Sequence, residues 1–287
     1  MKFISKLISV LAFSGAAVAT QAAERPNVII VFIDDFGYGD LGCYGSTKHR
    51  TPHIDQMAKE GIRLTDFYVG SSVSTPSRSA LLTGCYPRRV SMHVNADPTP
   101  LMSKGRQVLF PASHKGLNPG EITIAELMKE QGYATACIGK WHLGDQLPFL
   151  PTRQGFDYYY GIPYSNDMYI GPSQKFASNA VFREGYTLSE AKADQDFVRN
   201  APNRATIKKR LNSVSPLFEG DEIIEYPCDQ STTTRRYFDK AIEFVGQNKE
   251  KPFFVYITPS MPHIPLFASE QFRGKSKRGL YGDVVEE

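Results

Sequence analysis

Residues 73–84 read VSTPSRSALLTG, with three hydroxyls, Ser74, Thr75 and Ser77, directly before Arg78. A helix start needs one capping hydroxyl, and Pro76 in the first turn with Gly84 as a stop predicts a helix capped by Ser74 or Thr75. Serine is a weak nucleophile unless activated, and no Gly-x-Ser-x-Gly elbow surrounds Ser74. A serine at a helix N-terminus beside an arginine instead suits the stabilisation of an anion. Asp34 and Asp35 sit in DDFGYGDLGCYG, a turn-forming composition. Adjacent carboxylates repel unless a cation lies between them, and oxygen-only ligands favour Ca²⁺ or Mg²⁺. Lys140 and His142, in GKWHLG, share a face if the segment is extended, a pairing that suits an anionic substrate. His263, between the prolines of MPHIPL, reads either as a stiffened loop residue or as a positioned proton donor.

Strands and helices must carry these groups to one place. NVIIVFIDD (27–35) reads as a strand buried on both faces. Thr51-Pro52 opens a helix that Gly61 ends, 62–69 (IRLTDFYV) reads as a second strand, and 122–131 as a helix stopped by Gly132. YATACIG (133–139) and PFFVYIT (252–258) read as further strands. Between them, 231–247 forms an amphipathic helix with Phe238, Ala241, Ile242 and Val245 on one face. The alternation predicts an α/β sandwich with a large, mostly parallel sheet flanked by helices, in which ligands bind beyond the carboxyl ends of the strands. Asp34-Asp35, Ser74 to Arg78, Lys140 with His142, and His263 each come directly after a predicted strand. Residues 94–120 and 163–228 read as long irregular regions. The segment 158–169, with tyrosines at 158, 159, 160, 164 and 169, and the loop 163–228 are expected to shape the leaving-group pocket.

The 287 residues, 41% hydrophobic and 12% aromatic, suffice for one sizeable core, and a net charge of +3 gives no reason to expect a nucleic-acid partner. Lys2 and Lys6, an apolar run from Leu7 to about Val18 and then small residues predict a signal peptide over 1–23, too short for a spanning helix. No later run reaches membrane length, so the protein is expected to be exported without stable membrane insertion. Cys43, Cys85, Cys137 and Cys228 show no paired or metal-like spacing and read as mostly free thiols.

Taken together, Ser74-Thr75-Pro76-Ser77-Arg78 through Leu82-Thr83-Gly84, the DDxGxGD strand end, GKWHLG, GFDYYYGIPYSND (155–167) and the PHxPL loop resemble the ordered blocks of the type I sulfatases, nearest to arylsulfatase A-like members. The resemblance implies an alkaline-phosphatase-like fold and a sulfuric ester hydrolase. In it, a maturation enzyme oxidises Ser74 to formylglycine, whose hydrate attacks sulfur. It implies that Asp34, Asp35 and the Ser74-derived group bind a divalent cation, usually Ca²⁺, and that Arg78 holds the diol. Lys140 and Ser165 would contact substrate, His142 would take a diol proton, and His263 would assist the leaving alcohol. Asn166 departs from the His often found at that position. The serine form of the signature implies an anaerobic maturase, hence a bacterial protein of the periplasm or beyond. The substrate would be a sulfated small molecule or glycan.

The family's other metal ligands, an Asp followed by Asn or His, have no counterpart before the sequence ends at GLYGDVVEE (279–287). Residues 24–287 therefore read as the N-terminal part of a sulfatase catalytic domain, without the small C-terminal domain. That part alone is expected to bind metal poorly and turn over little. Two other readings stay open: a phosphatase or phosphotransferase of the alkaline-phosphatase-like group using unmodified Ser74, and an inactive sulfoglycan-binding remnant.

Overall fold

The computed structural model describes residues 25–94 and 107–287, so the leader expected over 1–23 lies outside the described residues. In chain order the elements are β1 (Val28–Val31), α1 (Pro52–Glu60), α2 (Ser74–Thr83), α3 (Ile124–Glu130), β2 (Ala134–Gly139), β3 (Tyr158–Gly161) and β4 (Lys175–Phe182). Then come α4 (Leu188–Asn200), α5 (Arg204–Leu211), β5 (Leu217–Glu219), β6 (Glu222–Tyr226), α6 (Thr233–Gln247), β7 (Phe253–Thr258) and α7 (Gly279–Glu286). The strands form one sheet in the order β1-β7-β2-β3-β5-β6-β4. Neighbours from β1 to β3 run parallel, β3–β5 and β5–β6 antiparallel, and β6–β4 parallel again.

Every residue of β2 and β7 is buried, as continuous apolar runs at the centre of a sheet covered on both faces demand. Their side chains divide by alternation. Cys137, Phe254 and Tyr256 join the larger core with Leu82, Phe156 and Tyr159, while Ala136, Ile138, Val255 and Ile257 pack with Tyr237, Ala241 and Phe244 of α6. The mostly parallel α/β architecture read from the sequence is the one observed.

Four local expectations are corrected. β1 is an edge strand, with Ile29 and Val31 exposed, because nothing among the described residues covers that face. Residues 62–69 form no strand and leave Ile62 92% and Tyr68 85% exposed. The inward face of α6 is Tyr237, Ala241 and Phe244, and Phe238 and Ile242 point outward. The stretch 163–228 contains β4, α4, α5, β5 and β6, whose short polar helices give a weak apolar period. All four cysteines are free, as expected.

Candidate active site

The parallel strands β1, β7, β2 and β3 end at one edge of the sheet, and the segments leaving those ends converge there. Asp34 and Asp35 lie beyond β1, Met261 to His263 beyond β7, Lys140 to His142 beyond β2, and Tyr164 to Asn166 beyond β3. Glycines allow the close approach of these ends. A Cβ on Gly139, which has φ +116, would lie 2.1 Å from the Thr258 carbonyl oxygen, and one on Gly161 would lie 1.9 Å from that of Gly139. The backbone N–H of Lys140 then donates to Thr258 O (2.8 Å) and that of His142 to Pro163 O (2.9 Å).

Helix α2 closes the site from above the strand ends. Ser74 is its first residue and Val73 its N-cap, with no side-chain cap, so the capping role expected of Ser74 or Thr75 is not observed. Their hydroxyls have other work. The Thr75 hydroxyl donates to the His142 carbonyl (2.9 Å), tying helix to loop. Ser74 Oγ accepts from Arg78 Nε (2.8 Å), one helical turn on. Arg78 is fully buried, and its other nitrogens donate to Lys140 O (2.8 Å) and Asp34 Oδ1 (3.3 Å). One guanidinium thus joins α2, the β2 loop and the β1 loop in a fork that only arginine supplies.

Lys140, equally buried, donates from Nζ to Asp34 Oδ2 and to Ser165 Oγ (3.2 Å). Burial alone would push the Asp34 carboxyl up, but Lys140 and Arg78 outweigh it and hold the group below the usual carboxylate range. Burial and the neighbouring Arg78 lower Lys140 despite its contact with Asp34. Burial, then Lys140 and Arg78, push the His142 imidazole well below its ordinary value, so it is neutral near pH 7. His142 Nε2 faces the Leu109 carbonyl at 3.1 Å, and a carbonyl can only accept. The proton therefore sits on Nε2. Nδ1, buried and without a hydrogen-bond partner among the described residues, keeps its lone pair. His142 also has φ +61, an unfavourable backbone conformation held by these bonds.

A cavity of about 290 Å³ lies over this constellation, lined by Asp34, Asp35, Ser74, Lys140, His142, Ser165 and His263. These residues, with Arg78 behind them, are the ones that the sequence singled out. The cavity also takes in Phe110, Asp167, Met168 and Arg204, which the sequence reading missed. Arg204 stacks 3.7 Å over the Phe110 ring, and Asp167 pairs with Lys208 at 2.8 Å. The available signal was Asn203, whose side chain caps α5 and so places Arg204 at the helix start. The segment 158–169 and the loop 163–228 do line the cavity, through Ser165, Asp167, Met168 and Arg204, but not through their tyrosines. Tyr159, Tyr160, Tyr164 and Tyr169 are core residues, and none lines the cavity.

Asp34, Asp35 and Ser74 present oxygen donors only, a set that suits a hard divalent cation in kind. It does not suit one in number. Both Asp34 oxygens already serve Arg78 and Lys140, and no group of three or more His, Cys, Asp or Glu able to hold a metal occurs among the described residues.

The family model for sulfatases matches residues 26–284. Arylsulfatase A of Homo sapiens is 37% identical over 275 residues, which cover 94% of this chain and 48% of the relative. Steryl-sulfatase of Homo sapiens is 36% identical over 301 residues, 93% of this chain and 50% of the relative. Among solved structures, the PsFucS1 sulfatase from Pseudoalteromonas sp. superposes with a TM-score of 0.65 at 28% identity, covering 92% of this chain and 49% of that one. Ps i-CgsB bound to k-i-k-neocarrahexaose does so with a TM-score of 0.62 at 30% identity, covering 92% and 52%. The chain spans about half the length of the curated relatives it matches.

Proposed function

The chain belongs to the sulfatase family and has the alkaline-phosphatase-like α/β fold of its structural neighbours, and from that premise we propose that it carries the sulfate-binding and nucleophile-bearing residues of a sulfuric ester hydrolase. The substrate class is a sulfated glycan or small-molecule sulfate ester. The observation that carries the reading is the Arg78 fork, which aims a buried cation at the Ser74 oxygen beside Lys140. An anion seated on Ser74 meets the charges of Arg78 and Lys140 inside a desolvated cavity, where they act strongly on developing negative charge.

Formylglycine made from Ser74 would supply, once hydrated, a stronger nucleophile than the serine hydroxyl. A divalent cation held in part by Asp34, Asp35 and the residue 74 oxygen would supply charge screening. Arg78 orients the residue 74 oxygen, and Lys140 and Ser165 hold the sulfuryl oxygens. His142, neutral and with its lone pair on Nδ1, would accept a proton from the residue 74 side chain. His263, which also lines the cavity, would hand a proton to the leaving oxygen. We place the protein in the periplasm or outside the cell, in line with the residue pattern of 1–23, and among the described residues no helix is long and apolar enough to cross a membrane.

Mass spectrometry of the peptide containing Ser74, after co-expression of the chain with an anaerobic serine-type maturase, tests this. A loss of two hydrogens at Ser74 is expected, and a Ser74→Ala variant shows none. An intact serine under conditions that convert a known sulfatase would overturn the reading and favour phosphoryl transfer by the unmodified hydroxyl.

A further inference from the structure

Three hydrogen bonds join Asn166 to the loop that carries His263. Asn166 Nδ2 donates to the carbonyls of His263 (3.2 Å) and Pro265 (2.9 Å), and Oδ1 lies 2.9 Å from His263 Nδ1. Carbonyl oxygens only accept, so the amide has one orientation here: its NH₂ to the loop backbone, its oxygen to the ring. An oxygen facing Nδ1 at hydrogen-bonding distance requires the ring proton on Nδ1. Asn166 is itself immobilised. It is 1% exposed, and its carbonyl accepts from Gln230 Nε2 at 2.9 Å and from Ser215 Oγ at 3.4 Å.

We propose that Asn166 is a positioning residue that selects the Nδ1–H tautomer of His263 and thereby presents Nε2, as the only free ring nitrogen, to the cavity. Nε2 lies 4.0 Å from Asp35 Oδ2, on the cavity side of the ring. The group that Nε2 meets there, the leaving oxygen of a sulfate ester, rests on the proposed function; the tautomer does not. Nε2 is then the ring nitrogen that faces the ester oxygen. Nδ1–H stays bonded to Asn166 throughout, so the ring neither flips nor exchanges its two nitrogens. The arrangement also orders the neighbouring hydroxyl. Ser165 Oγ accepts from Lys140 Nζ (3.2 Å) and lies 3.4 Å from both Nδ1 and Asn166 Oδ1. The two site histidines therefore hold opposite tautomers: His142 is protonated on Nε2 by its Leu109 contact, His263 on Nδ1.

Nitrogen NMR of the chain with ring-labelled histidine, at a pH where the imidazoles are neutral, reads this directly. The six histidines give six ring patterns, and the His263→Gln variant assigns the relevant one. The wild type is expected to show His263 protonated on Nδ1 and His142 on Nε2. Asn166→Leu, which removes the acceptor, is expected to move the His263 proton predominantly to Nε2, the form favoured by an unconstrained histidine side chain. Asn166→Asp, which restores an acceptor, keeps it on Nδ1. A wild-type His263 protonated on Nε2, or a tautomer unchanged in Asn166→Leu, overturns the proposal. The wild-type and Asn166→Asp spectra decide the matter if the leucine variant does not fold. The outcome is independent of catalysis: an Nε2–H His263 in an active sulfatase sinks this proposal alone, and an intact Ser74 sinks the proposed function alone.

Discussion

Asp145, three residues beyond His142, is buried, and its carboxylate is held by neutral donors: Tyr164 OH at 3.2 Å, Gln174 Nε2 at 2.8 Å and the backbone of Ala112. Burial wins over these bonds and pushes its carboxyl from 3.8 up to about 6. The folded chain then binds a proton that the unfolded chain has already released between pH 4 and 6. This group's contribution to stability is therefore greatest below pH 4 and is lost as pH rises through about 6. At roughly 1.4 kcal/mol per pH unit of displacement, the loss is about 3 kcal/mol. Asp145→Asn removes the titration, so its stability relative to wild type should rise by about that amount between pH 4 and pH 8 in urea denaturation. A constant difference across that range would count against the assignment. At this scale the sequence was most informative about residue types that have few uses. Asp34-Asp35, Lys140, His142 and His263 were legible because each comes after an apolar strand. The burial of Arg78, the loss of the Ser74 cap and the place of Asn166 were not, since each depends on bonds between segments far apart in the chain.

At the scale of elements, α6 shows how a phase can be misread when apolar residues stand side by side. Tyr237 and Phe238 are adjacent, and either could head an apolar stripe with Ala241. The sheet decides. Tyr237 is fully buried, with its ring edge-on to Tyr160 at 6.2 Å, while Phe238 is 39% exposed. Tyr237→Ala should cost about 3–5 kcal/mol in chemical denaturation and Phe238→Ala under about 1 kcal/mol; equal costs would refute the phase. The strand ends make a second test. Gly139 and Gly220 both have positive φ, at +116 and +63, yet only a Cβ at Gly139 meets backbone, at 2.1 Å from Thr258 O, whereas Gly220 faces open space. Gly220→Ala is expected to cost about 1 kcal/mol, from the backbone conformation alone. Gly139→Ala is expected to cost about 3 kcal/mol or more, because β2 and β7 must part. If Gly139→Ala proved as mild as Gly220→Ala, close strand approach would not be what the site requires. The central strands β2 and β7 were legible because runs buried on both faces are apolar throughout. The elements between 163 and 228 were not, because an edge strand with no buried residue and a polar helix carry little periodicity.

For the whole molecule, the sequence demands more cover than the described residues provide. NVIIVFIDD has the composition of a strand buried on both faces, and IRLTDFYV that of a strand in contact with a core. Yet Ile29, Val31, Ile62, Leu64, Phe67, Tyr68 and Val69 are all exposed. The same mismatch explains why these two segments were misjudged from sequence: their apolar character was read correctly, and the contact that would satisfy it is not made. β1 also sits at the sheet edge with one side unpaired among the described residues, which templates association unless it is covered. The chain by itself should therefore bind the dye 8-anilinonaphthalene-1-sulfonate strongly while folded and associate as its concentration rises. Ile62→Lys with Tyr68→Glu, at positions 92% and 85% exposed, should reduce both effects and shift folding stability by no more than about 0.5 kcal/mol. Dye fluorescence, light scattering against concentration and a urea melt of the double variant separate the outcomes. Unchanged dye binding would mean that this surface is not the apolar one. A large loss of stability would mean that residues 62–69 are packed in solution after all.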